Sequence, residues 1–121
     1  MYRILIADDH PVVREGLKMI LSDEFPGAHI EEAEETQGLV DKALGDTWDI
    51  VISDLAMPGG GGLEALKEIK KNKRELPVII VSTYPPEQYA TRVMKAGAAA
   101  YVSKDELPGA LLVAVRAATN K

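Results

Sequence analysis

Four short apolar runs in this sequence end on residues that can do chemistry. Ile4-Leu5-Ile6-Ala7 leads into Asp8-Asp9, Ile50-Val51-Ile52-Ser53 into Asp54, Val78-Ile79-Ile80-Val81 into Ser82, and Ala100-Tyr101-Val102-Ser103 into Lys104. Apolar runs of this length, bounded by polar or turn residues, read as strands buried on both faces, as in a parallel sheet. Open parallel sheets bind ligands outside the carboxyl ends of their strands. The pattern therefore gathers three carboxylates, a hydroxyl and an ammonium at one edge of one sheet. Three carboxylates so placed repel each other and call for a cation. The set offers a place for a divalent metal, a nucleophilic oxygen and a phosphoryl group.

Between the runs lie helical patterns. Strand one is read as Arg3 to Ala7, followed by a helix from Pro11 to about Ser22 with Val13, Leu17, Ile20 and Leu21 on one face. Pro11 suits the first helical position, where a missing N–H costs nothing. Phe25-Pro26-Gly27 breaks that helix. A weaker strand, His29 to Ala33, carries Glu31 and Glu32 and reads as partly exposed. A helix follows from Thr36 to Leu44, then strand three to Ser53. The stretch Met57 to Gly62 reads as a flexible glycine-rich loop, and Leu63 to Lys71 as helix three, with Lys67, Lys70, Lys71 and Lys73 on or near its solvent side. Strand four follows Pro77. Helix four runs from Pro85-Pro86 to Ala96, strand five spans Ala100 to Ser103, and helix five spans Leu107 to Thr119. Five βα units imply a parallel sheet with right-handed crossovers and helices on both faces.

Composition narrows the function classes. The 121 residues suit one domain, expected to span 1–121 with no second domain inside it. Hydrophobic residues at 46% and charged residues at 27% are a globular balance, and at this length no staple is required. The net charge of -5 argues against this chain itself binding nucleic acid. With no cysteine, disulfides and thiolate metal sites are excluded. The absence of a signal peptide or a ~20-residue apolar span leads to the expectation of a cytoplasmic chain without a membrane partner.

Each candidate has an ordinary alternative role: helix capping for Asp8-Asp9, a turn for Asp54, a strand-end hydroxyl for Ser82, a solvated lysine for Lys104. Their agreement at four strand ends carries the chemical reading. Hard carboxylate oxygens suit Mg²⁺. A carboxylate such as Asp54 can act as nucleophile toward phosphorus and form an aspartyl-phosphate. In-line transfer then needs a metal and donors for the phosphoryl oxygens, with Ser82 (or Thr83) and Lys104 available. Gly59 to Gly62 is not a P-loop, because no Gly-Lys-Ser/Thr follows. His10 and His29 do not make a recognisable metal pair. Trp48 and Phe25 read as packing residues.

Over essentially its whole length the sequence resembles the receiver domains of two-component response regulators. The residues that carry the likeness are Asp8-Asp9, Asp54 in Asp54-Leu55-Ala56-Met57-Pro58-Gly59, Ser82-Thr83, and Lys104 in Ala100-Tyr101-Val102-Ser103-Lys104-Asp105. Asp8-Asp9-His10-Pro11 and the Asp54 stretch are most similar to the NarL/FixJ-type (LuxR-like) branch. The resemblance implies a flavodoxin-like (βα)5 fold with strand order 2-1-3-4-5. It implies Asp54 as phosphoacceptor, Asp9 as a direct Mg²⁺ ligand, Asp8 acting mainly through water, and the Ala56 backbone carbonyl as third protein ligand, with Mn²⁺ able to substitute. Ser82 and Lys104 would contact the phosphoryl oxygens, and Ser82 and Tyr101 would form the switch. Implied partners are a sensor histidine kinase, a C-terminal helix-turn-helix domain in the parent protein, and a second copy in a phosphorylation-dependent homodimer.

The sequence departs from the family at three places. Asp105 stands where proline, with a cis bond, often follows the lysine; Ala56 has no side chain to hold a water; and Tyr84, two residues after Ser82, can cover the phosphoryl group. Three other functions compete. A haloacid-dehalogenase-like phosphatase usually has a second aspartate where this chain has Ala56. A degenerate receiver acting only as an interaction module would not need the intact acidic set. An FMN carrier of the same fold would not place acidic residues after strand one.

Overall fold

The computed structural model, which describes residues 2–119, turns the alternating runs into strands β1 (Arg3–Ala7), β2 (His29–Ala33), β3 (Ile50–Asp54), β4 (Val78–Ser82) and β5 (Ala100–Ser103). Between and after them lie helices α1 (Pro11–Glu24), α2 (Thr36–Gly45), α3 (Gly61–Asn72), α4 (Pro86–Lys95) and α5 (Gly109–Thr119). Every strand pairing is parallel, in the order β2-β1-β3-β4-β5, as the resemblance implied.

The central strands are apolar without alternation because helices cover both faces. Leu5, Val51 and Ile80 pack with Leu39 of α2, Leu66 and Ile69 of α3 and Val93 of α4. Ile4, Ile6, Ile52 and Val81 pack on the other face with Leu17 and Leu21 of α1 and Leu111 and Val115 of α5. A fully buried side chain of this size contributes about 1.5–3 kcal/mol relative to exposure, so the strand cores dominate stability. β2 is one of the two edge strands and is only partly buried, as its two glutamates suggested. Glu32 is held there by Arg14 and Lys18, and hydrogen bonding to Lys18 lowers its carboxyl below the usual range. Among the described residues no helix is long and apolar enough to cross a membrane.

The structure moves three boundaries. α5 begins at Gly109, two residues later than expected, after a 3₁₀ turn at Lys104–Glu106. Leu107 precedes Pro108 and is extended (φ -75°, ψ 147°), because the residue before a proline disfavours helical geometry. The cis bond is Leu107–Pro108, while Lys104–Asp105 is not cis. α1 continues to Glu24 and stops at Phe25, again the residue before a proline. α3 starts at Gly61, so two of the glycines assigned to a flexible loop belong to the helix. The lysines at the end of α3 are also less free than expected. Lys70 Nζ donates to the carbonyls of Arg74 (2.6 Å) and Leu76 (2.9 Å), and burial pushes its ammonium pKa down. Lys73 Nζ donates to Ala43 O at 2.8 Å, tying α3 to α2.

Candidate functional site

Strand register sets the site. Ala7 lies opposite Ser53, Asp54 opposite Val81, and Ser82 opposite Ser103. Asp8 and Asp54 therefore emerge level from neighbouring strands, with Ser82 one step further out and Lys104 two. Asp54, Ala56, Ser82, Thr83 and Lys104 line one pocket of about 350 Å³ at that edge. A larger cleft of about 660 Å³ lies at the opposite edge, among Thr47, Trp48, Arg74 and Pro77. Volume alone points there, but the carboxylate cluster lies at the smaller pocket.

The carboxylates are deeply placed. Asp8 is 0% and Asp54 5% exposed, while the Asp9 side chain is 34% exposed. Oxygens from Asp8, Asp9 and Asp54 and a ring nitrogen of His10 lie within 4.8 Å of one another. Asp8 Oδ1 accepts from the His10 amide at 2.8 Å. His10 Nδ1 sits 3.2 Å from Asp8 Oδ1 and 3.0 Å from Asp9 Oδ1. That second approach lacks hydrogen-bond geometry, since Asp9 Oδ1 is buried with no hydrogen-bond partner. Burial, and then the charge of Asp8, hold the Asp54 carboxyl above its usual range; Lys104 and the Ala56 N–H pull the other way.

This donor set fits a hard divalent cation. It is all carboxylate oxygen apart from His10, it is crowded with negative charge, and it contains an orphaned buried oxygen on Asp9. His10 also caps α1, as Pro11 implied, but without a side-chain capping bond. Its ring enters the acidic cluster, which its spacing from His29 gave no reason to expect.

Lys104 stands beside the carboxylates, as its place at a strand end implied. Its Nζ lies 3.1 Å from Asp8 Oδ2 and 3.4 Å from Asp54 Oδ1, with the side chain 14% exposed. An ammonium so placed competes with a metal for the same charge. Lys104→Ala should therefore tighten Mg²⁺ binding by about threefold or more, the factor matching the ~0.7 kcal/mol of a partly screened ion pair. A calorimetric titration giving weaker binding would contradict this competition.

Ser82 is 1% exposed, and its Oγ accepts the Tyr84 N–H at 2.9 Å. The Tyr101 hydroxyl donates to the Tyr84 carbonyl at 2.8 Å. The backbone of Tyr84 thus bridges the two residues expected to form the switch. The Tyr84 ring is itself 41% exposed and packs on Tyr89 at 5.1 Å. Arg14 was not foreseen. From α1 its Nη1 donates to the Asp8 carbonyl at 2.6 Å and its Nε to Glu32 at 3.0 Å, bracing the acidic turn. Trp48 packs as expected, its Nε1 donating to Lys42 O and Arg3 lying over its ring.

A family model described as the response regulator receiver domain matches residues 4–116. The response regulator UvrY of Escherichia coli is 34% identical over 116 residues, covering 96% of this chain and 53% of that protein. The transcriptional regulatory protein YdfI of Bacillus subtilis is 42% identical over 107 residues, covering 87% of this chain and 49% of that one. This chain thus spans about half the length of the curated relatives it matches. Among solved structures, a LuxR-family two-component response regulator from Aurantimonas sp. superposes with a TM-score of 0.89 at 34% identity, over 98% of this chain and 84% of that one. The response regulator TrrA of Thermotoga maritima, solved in complex with Mg²⁺ and BeF, gives 0.88 at 35% identity, over 98% and 99%.

Proposed function

The chain belongs to the response regulator receiver domain family, and on that premise we propose that Asp54 is its phosphoacceptor, charged by a sensor histidine kinase. The observation that carries the reading is the desolvated Asp54 carboxylate, set in one pocket with Ser82 and Lys104 and beside Asp8 and Asp9. In the transfer an Asp54 carboxylate oxygen forms a bond to phosphorus. The bond from phosphorus to the donor's nitrogen or oxygen breaks, and its electron pair leaves with the donor. Lys104 and Ser82 hold phosphoryl oxygens, and the same residues support slow hydrolysis of the product. Asp9, Asp8, Asp54 and the Ala56 carbonyl hold Mg²⁺, or Mn²⁺ in its place. The metal supplies positive charge against the phosphoryl oxygens. The Mg²⁺ and BeF held by TrrA, the fluoride standing in for phosphoryl oxygens, favour the same assignment here.

We place the output on the α4–β5–α5 face. A phosphoryl group that draws in the Ser82 hydroxyl removes the acceptor of the Tyr84 N–H, and through Tyr84 it loosens the hold on Tyr101. This is a local charge biasing a two-state element. In the parent protein a helix-turn-helix domain after this chain binds DNA, under control of this domain and of a phosphorylation-dependent homodimer. The domain itself works in the cytoplasm and leaves DNA alone. The proteins named above are response or transcriptional regulators, so neither the phosphatase nor the FMN-carrier reading gains support. The intact acidic set speaks against a degenerate module.

The test is intact mass after incubation with acetyl phosphate: one phosphoryl group should add with Mg²⁺ and none with chelator. Metal binding is checked separately. Millimolar Mg²⁺ should raise the melting temperature by mass action, and Asp9→Ala should remove more of that rise than Asp8→Ala. A melting temperature indifferent to Mg²⁺ would remove the metal from this account.

A further inference from the structure

We propose that Thr36, the first residue of α2, is a positioning residue for the metal, holding the β3–α3 loop in the shape that presents the Ala56 carbonyl. The proposal rests on the reading above that Ala56 completes the Mg²⁺ set.

The loop needs a brace. It runs from Leu55 to Gly62 and is closed by the Gly62 N–H donating to Leu55 O at 2.8 Å. Gly59, Gly60 and Gly61 have φ of +94°, +117° and +84°, all in the left-handed region. Three consecutive glycines lose much conformational freedom when fixed, so the closing bond has to be supplemented from outside the loop.

Thr36 supplies the brace from a distant point in the sequence. It is 7% exposed. Its Oγ1 accepts the Gly61 N–H at 2.9 Å and lies 3.1 Å from Pro58 O and 3.3 Å from Gly61 O, one of which takes its single proton. The Thr36 N–H donates to Pro58 O at 3.0 Å. At a helix start that N–H has no partner within the helix, so α2 spends its free donor on the loop. Thr36 also packs against Gly59, where a Cβ would meet Thr36 Cβ at 3.4 Å. Pro58 and Gly61 are thus pinned on one side of Ala56. The Leu55 N–H, bonded to Val81 O at 3.2 Å, pins the other. The carbonyl of Ala56 lies between two fixed points, and one of them is Thr36, through its hydroxyl and its N–H.

Residues that orient a metal ligand commonly govern affinity by about tenfold or more without touching the metal. The decisive experiment compares wild type, Thr36→Val, Thr36→Ser and Val115→Ala, the last a core truncation on the opposite face of the sheet. Two quantities are read on folded protein: Mg²⁺ affinity by calorimetry, and hydrogen exchange at the Gly59–Gly62 amides without metal. Thr36→Val should speed exchange at Gly61 and weaken Mg²⁺ about tenfold. Thr36→Ser should restore both. Val115→Ala should lower stability yet leave both unchanged. Fast Gly61 exchange with wild-type Mg²⁺ affinity in Thr36→Val would overturn the proposal, as would an equal loss of affinity in Val115→Ala. A wild-type chain that binds no Mg²⁺ would overturn the metal reading and this proposal together, and is distinguishable from the other two results.

Discussion

Asp54→Asn should take up no phosphoryl group from acetyl phosphate and Mg²⁺, and yet should melt above the wild type when metal is absent. The first half follows from removing the nucleophilic oxygen while keeping the side chain's size. The second follows from the electrostatics of the buried carboxylates. Burial, and then Asp8, raise the folded-state pKa of Asp54 above its unfolded value. Between those two values the folded chain keeps a proton that the unfolded chain has lost. Stability therefore falls as pH rises from the ordinary carboxylate range through the raised pKa, and at neutral pH the ionised group is a net cost to the fold. Asparagine removes that cost and also one of the two carboxylates that Lys104 faces, leaving it Asp8 at 3.1 Å. The gain should shrink as pH is lowered, and it should vanish or reverse in saturating Mg²⁺, which compensates the Asp54 charge that only the wild type carries. Intact mass and a melting series in pH and Mg²⁺ read both halves. Full labelling of Asp54→Asn would remove Asp54 from its role. A metal-free Asp54→Asn that melts below wild type at neutral pH would mean that Lys104 already overcompensates the cluster.

The strands and the site were legible for one physical reason: a strand buried on both faces writes its burial into four or five consecutive residues. Ile4 to Ala7 and Val78 to Val81 need no partner to be recognised, and the residues that close them fall at the sheet edge by topology. What stayed hidden depends on atoms far apart in sequence. Thr36 meets Gly61 across 25 positions, and no local pattern announces it. Pro11 marks the start of α1 in sequence and structure alike, but the turn that makes His10 its cap also swings the His10 ring onto Asp8 and Asp9. The late start of α5 was in principle readable, since Leu107 precedes a proline. The apolar spacing of Leu107, Ala110 and Leu111 outweighed it, because Leu107 does pack in the core although it is not helical.

Gly62→Ala should be the most damaging single-methyl change in the chain, although Gly62 sits in a helix where alanine is intrinsically the better residue. A Cβ at Gly62 would lie 2.2 Å from the Asp54 carbonyl oxygen, with that carbonyl carbon and Ser53 Oγ both at 3.1 Å. The clash is with backbone at the end of the central strand, so no rotamer change relieves it. Either α3 lifts away from β3, opening the contacts of Ala65, Leu66 and Ile69, or the end of β3 shifts and carries Asp54 with it. Overpacking of this kind costs about 3 kcal/mol or more, against a propensity gain of about 1 kcal/mol. A net loss near 2–3 kcal/mol corresponds to a fall of roughly 10 °C in melting temperature at this chain length. Gly16→Ala provides the opposite case. Gly16 lies inside α1, and a Cβ there meets nothing within 4 Å. That substitution should raise the melting temperature by a few degrees through the propensity gain of about 0.5–1 kcal/mol alone. Thermal melts of the two variants side by side separate the effects. If Gly62→Ala melted at or above wild type, the close seating of α3 on the Asp54 carbonyl would be wrong, and with it the placement of Asp54 against the start of that helix.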